Sequence, residues 1–344
     1  MVNRYVPILH WKRGERVGVQ HLSAAGRKDV APLFMLRSRQ YVGLTATRKK
    51  AAIPAPDAFA KEASSVWGQG EFFLDASELP PLPSGQHPIL NIAASARSKG
   101  LRLIPVTRLD ALAPYQKAVA QIVAADKRGL ALRANLTTVT SAATWAGEWP
   151  FPLAETDLIV DLSGSASTVL TLGQAAINAF AGLHKGTDWR SVTVAGTSMP
   201  DNFTGLAKGT YEIPRAEWSL WQNLSAAKLP YRIDYGDYTT PPIKPPPEGI
   251  AWGFPINVRY TLDGAFLICR GVTTTRANAE DMAPQLVKHA KTIQKYPMRN
   301  GVPNCWGDGM IDQIAAKAVL PGALENWVRI GVNRHVEITR ANLP

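Results

Sequence analysis

The feature that most narrows the folding options of this chain is a recurring alternation. A short run of apolar residues stops on charged or hydroxyl residues, a stretch with helical spacing follows, and another such run begins. Eight runs of this kind precede residue 243. Residues 5–9 end at His10, Lys12, Arg13 and Glu15; residues 31–36 stop at Arg37, Ser38 and Arg39; residues 71–74 close on Asp75. LRLIPVTRLD ends at Thr107 and Arg108, GLALRANL carries Arg133 and Asn135, and residues 158–162 carry Asp161. WRSVTVAGTSMPDN ends at Thr197, Ser198 and Met199, and YRIDYGDYTTPP, residues 231–242, brings Asp234, Tyr235, Asp237 and Tyr238 out of one strand end. Between the runs lie helical patterns, of which residues 113–126, with Tyr115, Val119, Ile122 and Val123 on one face, is the clearest.

Parallel strands need long crossovers, which are usually helical, so this alternation predicts an α/β fold with a parallel sheet. Eight units point to a closed, TIM-barrel-like (β/α)8 architecture, with an open doubly wound sheet as the competing arrangement. No internal repeat of fixed period accompanies it. The expected organisation is a single α/β domain over 1–344: a barrel core over 1–242, with an irregular insertion at about 40–70 that carries at most one short helix, and an elaboration over 243–344. In that elaboration FPINVRYTLDGAFLICRG reads as an antiparallel hairpin turning at Leu262, Asp263 and Gly264. A helix is expected over 279–296, and ENWVRIGVNRHVEIT is expected to hold a Trp327-containing strand.

At 344 residues, 46% hydrophobic and 19% charged, the chain can bury a large core and has no disordered or fibrous character. No apolar run approaches the roughly 20 residues of a membrane span, and the N-terminal MVNRYVPILHWKRGE is too short in apolar residues for a signal peptide, so a cytoplasmic location and no membrane partner are expected. Cys269 and Cys305 form no metal-ligand spacing and are expected to be reduced and structural. The net charge of +11 favours polyanionic partners, with the clusters RKDVAPLFMLRSRQ and ATRKK as its densest parts; plain surface solvation is the competing account.

The segments YVPILHWKRGE, APLFML, PRAEWSLW, YRIDYGDY, CWGDGMI and WVRIGVNRHVEIT together resemble the phage beta protein family, also called beta family proteins, found in bacteria and phages. The likeness spans nearly the whole chain, with Trp11, Lys12, Gly14 and Glu15 as its most specific residues. At 333–335 the chain reads NRH, with Arg334 where the resemblance leads one to expect a second histidine, which counts against a metal pair there. The resemblance implies a setting of mobile elements and phage conflict, an antiviral module with a protein partner from the same gene cluster, and no particular reaction.

The chain has no P-loop, no GxSxG elbow, no HExxH and no dinucleotide fingerprint. What remains is the set of polar strand ends, which a barrel gathers on its C-terminal face. Asp161, Asp234 and Lys12 are the candidate catalytic residues, with the aspartates placed to act as general base or to hold a divalent metal as cofactor. Arg37, Asp75, Arg108, Arg133, Ser198, Tyr235, Asp237, Arg259 and Arg270 are the candidate substrate-binding residues, because converging guanidinium groups suit a phosphate or carboxylate. Within the last run, Asp234 is the expected site member and Asp237 the expected positioner of the exit loop. Each has a purely structural reading: mutually neutralising pairs for the arginines and aspartates, a helix cap for Asp75, a turn for Ser198, packed strand-end or helix positions for His10, His289 and His335. Trp11, Trp145, Trp149, Trp218, Trp221, Trp252 and Trp306 fall near loops or helix starts, where they either stack bases or bury their large area. The expected function is therefore hydrolysis or phosphoryl-type transfer on a nucleotide or nucleic acid. The alternative is a non-catalytic barrel that binds nucleic acid or a partner protein.

Overall fold

The computed structural model describes residues 4–44, 54–183, 187–244, 255–275, 279–303 and 305–344; ATRKK, Trp252 and most of the proline-rich stretch after residue 243 lie outside the described residues. Eight parallel strands close a barrel in the order β1 (Tyr5–His10), β2 (Leu33–Met35), β3 (Glu71–Asp75), β4 (Arg102–Thr107), β5 (Leu130–Ala134), β6 (Thr156–Asp161), β7 (Ser191–Gly196) and β9 (Ile233–Asp237), while β8 (Gly209–Pro214) belongs to a second sheet. β9 seals the ring against β1, with Tyr5 opposite Tyr235 and Val6 opposite Gly236.

The alternation of side chains along each strand explains why the runs are apolar on both faces. Val6, Ile8, Leu33, Phe73, Ile104, Val106, Ala131, Ile159 and Ala195 form one buried cluster, the barrel interior. Tyr5, Leu9, Phe34, Phe72, Leu74, Leu132, Leu158, Val194 and Tyr235 form the layer between strands and helices. Within the segment at about 40–70, Ala55–Val66 is a helix of 12 residues that buries Phe59, Ala60, Ala63 and Val66, so it supplies the crossover from β2 to β3.

The hairpin stands where the sequence places it, as β10 (Asn257–Thr261) and β11 (Ala265–Arg270), but β11 also pairs with β8 to make three antiparallel strands. β8 leaves the barrel between β7 and the helix Ala216–Ala226, a short strand ending on Pro214 whose pairing partner, β11, lies far along the chain. One face of this sheet packs on helices Met282–Gln294 and Trp306–Ala315 through Val258, Tyr260, Leu267 and Cys269. The other carries Phe266 and Ile268 against Met199 and Phe203.

The expected strand around Trp327 is instead a helix, Leu324–Asn342, of 19 residues. Its β-branched residues suggest extended backbone, but their spacing serves two buried surfaces at once: Trp327 and Ile330 meet the second sheet, Val332 and Val336 the barrel layer. It lies against the helix Arg13–Gln20, where a Cβ on Gly18 would come within 2.8 Å of the Arg329 carbonyl, so glycine is what lets the two helices approach. It thus fills the place of the eighth barrel helix, after residues 238–323 have added β10 and β11 to β8 and supplied the helices that pack on that sheet. No helix among the described residues is long and apolar enough to cross a membrane.

Candidate functional site

Strand register decides which polar residues can meet. Counting from the interior cluster, the next inward positions toward the C-terminal mouth are His10, Met35, Asp75, Arg108, Arg133, Asp161 and Tyr238. Arg133 is their centre. Its Nη1 donates to Asp75 Oδ2 at 2.9 Å, its Nε to Asp161 Oδ2 at 2.9 Å and its Nη2 to the Tyr238 hydroxyl at 2.6 Å. Tyr238 in turn donates to Asp161 Oδ2 at 2.7 Å, and Arg108 Nη2 reaches Asp75 Oδ2 at 3.0 Å. Two loop serines complete the carboxylates: Ser77 donates to Asp75 Oδ1 through its hydroxyl at 2.6 Å, and the Ser163 amide to Asp161 Oδ1 at 2.8 Å.

Burial alone would raise the Asp75 carboxyl, but the Arg133 and Arg108 charges outweigh it and hold Asp75 below the usual range. Burial would likewise lower the Arg133 guanidinium, yet Tyr238, Asp161 and Asp75 keep it firmly charged. His10 is pushed down to about 3 by burial and by the charges of Lys12 and Arg37, so its ring is neutral near pH 7. Glu15, which accepts the His10 amide at 2.7 Å, is pushed up to about 7 by burial. Lys12 sits half-buried beside this pair, and Arg37 is held by Glu78 at 3.1 Å on the same rim.

Arg108, Arg133 and Asp161 line a cavity of about 320 Å³ with Asn135, Thr138 and Ser163. The groups turned to it are chiefly donors. Asn135 has spent its carbonyl on the Thr138 amide at 2.8 Å, which leaves its NH₂. Arg108 is about one-third exposed, and its Nε has no hydrogen-bond partner although that atom is buried. Asp110, exposed on the loop after β4, adds a negative charge at the outer edge. Among the described residues no three His, Cys, Asp or Glu side chains gather to hold a metal ion. The two carboxylates best placed to share one, Asp75 and Asp161, are bridged by a guanidinium instead.

The remaining sequence candidates lie elsewhere. Asp234 points inward but at the start of β9, so it faces the opposite, N-terminal mouth. There it takes the Arg4 amide at 3.1 Å and Arg232 Nε at 3.1 Å, beside Asp157, which is clamped by Arg190 and Arg4. Burial raises its carboxyl. This location takes Asp234 out of the gathering of strand ends, because a residue four positions before Tyr238 lies two inward layers below it.

Tyr235 and Asp237 face outward into the layer between barrel and helices. Asp237 is wholly buried and accepts from the Tyr5 hydroxyl at 2.8 Å, His335 Nε2 at 2.7 Å and Arg215 Nη2 at 3.3 Å. It ties the wall to the last helix rather than meeting the cavity. Ser198 accepts the Ala216 amide at 3.3 Å and donates to the Pro214 carbonyl at 2.7 Å, joining β8 to the next helix. Arg259 lies over the Phe203 ring at 5.2 Å and is pushed down to about 10 by burial, and Arg270 donates to the Leu206 carbonyl at 2.7 Å; both stand on the second sheet.

The mouth therefore keeps Lys12, Arg37, Asp75, Arg108, Arg133 and Asp161, and adds Tyr238, Asn135, Thr138 and Ser163. Parity reveals Tyr238 in retrospect, since it shares the inward face with Asp234 and Gly236. Arg215 and His335 gave no comparable signal, for each meets its partners only across long sequence separations. The tryptophans divide: Trp11, Trp218 and Trp221 are core, Trp306 stacks on His21 at 4.3 Å, and Trp145 and Trp149 are half-buried.

No curated protein matches this chain. A family model described as Beta protein covers residues 5–340, nearly the full length, and the chain belongs to the Beta protein family.

Proposed function

We propose that the C-terminal mouth binds a small phosphate-bearing ligand, a nucleotide or the end of a nucleic acid. The observation that carries this reading is the imbalance of the cavity floor: Arg108 and Asn135 turn N–H donors to it beside the Thr138 and Ser163 hydroxyls, the oxygens of Asp75 and Asp161 are already taken, and Asp110 is the one carboxylate of the lining left exposed. Such a pocket leaves ligand acceptors as the natural complement, and a phosphate offers them with the charge that Arg108 lacks a second partner for. The net charge of +11 supports encounter with such ligands.

The test is calorimetric titration with ribose 5-phosphate and inorganic pyrophosphate at two salt concentrations. Binding is expected to weaken with salt, and Arg108→Ala to weaken it about 10–100-fold, the range for a hydrogen bond to a charged group. Absence of binding, or equal affinity in the variant, refutes the reading.

A reaction on that ligand, hydrolysis or phosphoryl transfer, is the second reading. Asp161 is a poor general base here, since Arg133, Tyr238 and Ser163 occupy its lone pairs. Glu15 is the group that would have to supply proton transfer: burial pushes its carboxyl up to about 7 beside His10 and Lys12, but it is buried and is not among the residues that line the cavity. Turnover of a nucleotide that is lost in Glu15→Gln with ligand affinity retained would establish it. Affinity without turnover would leave a binding module, in the setting of phage or mobile-element conflict that membership of this family suggests, where a partner encoded nearby reads the bound state.

A further inference from the structure

A larger cavity, of about 720 Å³, opens beside the mouth and shares Arg108 and Leu109 with it. Its wall is built from the connection between β5 and β6, which contributes Trp145, Trp149 and Phe151, faced by Lys117 from the helix Ala113–Asp126. The three rings touch in series: Trp145 and Trp149 centroids lie 6.4 Å apart, Trp149 and Phe151 5.4 Å. All three are half-buried. Both indole N–H groups are turned inward, Trp145 to the Thr138 carbonyl at 2.9 Å and Trp149 to the Thr156 hydroxyl at 3.2 Å. The rings therefore offer carbon surface to the groove and no donor.

The two cavities are also joined through the backbone. The short helix Leu136–Thr140 places Thr138 on the mouth cavity while its carbonyl fixes Trp145 in the groove wall. An aromatic wall whose indole N–H groups are already bonded, with the Arg108 guanidinium in the lining it shares with the mouth and the exposed Glu148 carboxylate between the two tryptophans, is matched to a flat ring joined to an anionic group on the Arg108 side. Its size falls in the range of roughly 300–1,000 Å³ typical of small-molecule sites.

We propose that this groove is the base subsite of the mouth, stacking the heteroaromatic ring of a nucleotide whose phosphate lies among Arg108, Asn135 and Ser163. The phosphate half rests on the function proposed above, whereas the stacking half rests on the groove alone.

Binding of adenosine, ribose 5-phosphate and adenosine 5′-monophosphate, followed by tryptophan fluorescence and calorimetry, separates the two halves. The monophosphate is expected to bind about 10–100-fold more tightly than ribose 5-phosphate, the range for one stacked base. Trp149→Ala should remove most of that advantage while ribose 5-phosphate affinity stays within about twofold. Phe151→Ala, which disturbs no hydrogen bond, should act in the same direction if Trp149→Ala folds poorly.

Equal affinity for the monophosphate and ribose 5-phosphate, or an unchanged ratio in both variants, overturns the subsite. Adenosine bound in a Trp149-dependent way without any ribose 5-phosphate binding upholds the groove and removes the phosphate reading. A 5′-phosphorylated oligoadenylate assayed alongside distinguishes a free nucleotide from a nucleic-acid terminus, and Trp149-dependent binding of either supports the subsite.

Discussion

Replacing Asp237 by Asn tests the idea that a buried charge network, and not apolar packing alone, fixes the last helix to the barrel. Asp237 lies in the barrel wall, Arg215 at the head of the helix Ala216–Ala226, and His335 and Thr339 in the last helix; all four are fully buried. Burial would raise the Asp237 carboxyl, but His335, Arg215 and the Tyr5 hydroxyl outweigh it and hold it well below the usual range. His335 is lowered by burial despite Asp237, so its ring is neutral near pH 7; Nε2–H then donates to Asp237, and Nδ1 accepts from the Thr261 hydroxyl at 2.9 Å. Asn keeps the shape but removes the charge. Arg215 would be left with Glu217 as its acidic neighbour at 3.7 Å, and burial has pushed that carboxyl up to about 7, so it compensates only in part.

Removing one member of a buried pair typically costs about 3–5 kcal/mol. For a chain of 344 residues that corresponds to a fall in melting temperature of about 4–7 °C. Thermal unfolding followed by circular dichroism measures it. The deficit should narrow as pH falls below about 4, because the carboxyl is ionised above its unfolded value near 3.9 and its contribution disappears once both states are protonated. In a double-mutant cycle, Asp237→Asn with Arg215→Met should lose less than the sum of the single changes by about 1–3 kcal/mol. A shift of less than about 2 °C, or strict additivity, would refute the network's role.

Three further outcomes follow from the same geometry. Because Glu15 is pushed up to about 7, its favourable contribution is present below its unfolded value and lost as pH rises through about 7; urea midpoints of wild type relative to Glu15→Gln should therefore fall between about pH 4.5 and pH 7.5. Arg133→Met strands the buried Asp75 and Asp161 carboxylates and should cost about 3–5 kcal/mol in denaturant unfolding at pH 7, with Arg108→Met costing about 1 kcal/mol or less because that side chain is partly exposed. Gly129→Ala should cost at least about 2 kcal/mol by the same assay, since Gly129 has φ +69° and an added Cβ would stand 2.0 Å from the Glu155 carbonyl oxygen.

The barrel was legible because strands apolar on both faces, punctuated by helices, leave few other arrangements. Asp75, Arg108, Arg133 and Asp161 were legible for the same reason, as the polar residues that end buried strands. What the sequence did not disclose was the side each residue takes. In YRIDYGDY the inward positions are Asp234, Gly236 and Tyr238 and the outward ones Tyr235 and Asp237, so the two acids of one strand serve opposite faces and opposite ends of the wall. A one-residue error in parity reverses such an assignment. β8 and the last helix escaped for a different reason: their partners are remote in sequence, and the β-branched residues of the helix follow tertiary packing rather than local propensity.

The detour between β9 and the helix Leu324–Asn342 also bears on how the chain matures during synthesis. The strands that close the ring are complete by residue 237, yet the helix that covers β1 and accepts Asp237 comes only after residues 238–323. At typical elongation rates of roughly 5–20 residues per second, several seconds separate the synthesis of β9 from that of the helix that buries Asp237 and packs on the helix Arg13–Gln20. The outer side of the wall at Asp237 is therefore the part of the barrel whose burial depends on the last residues to be made.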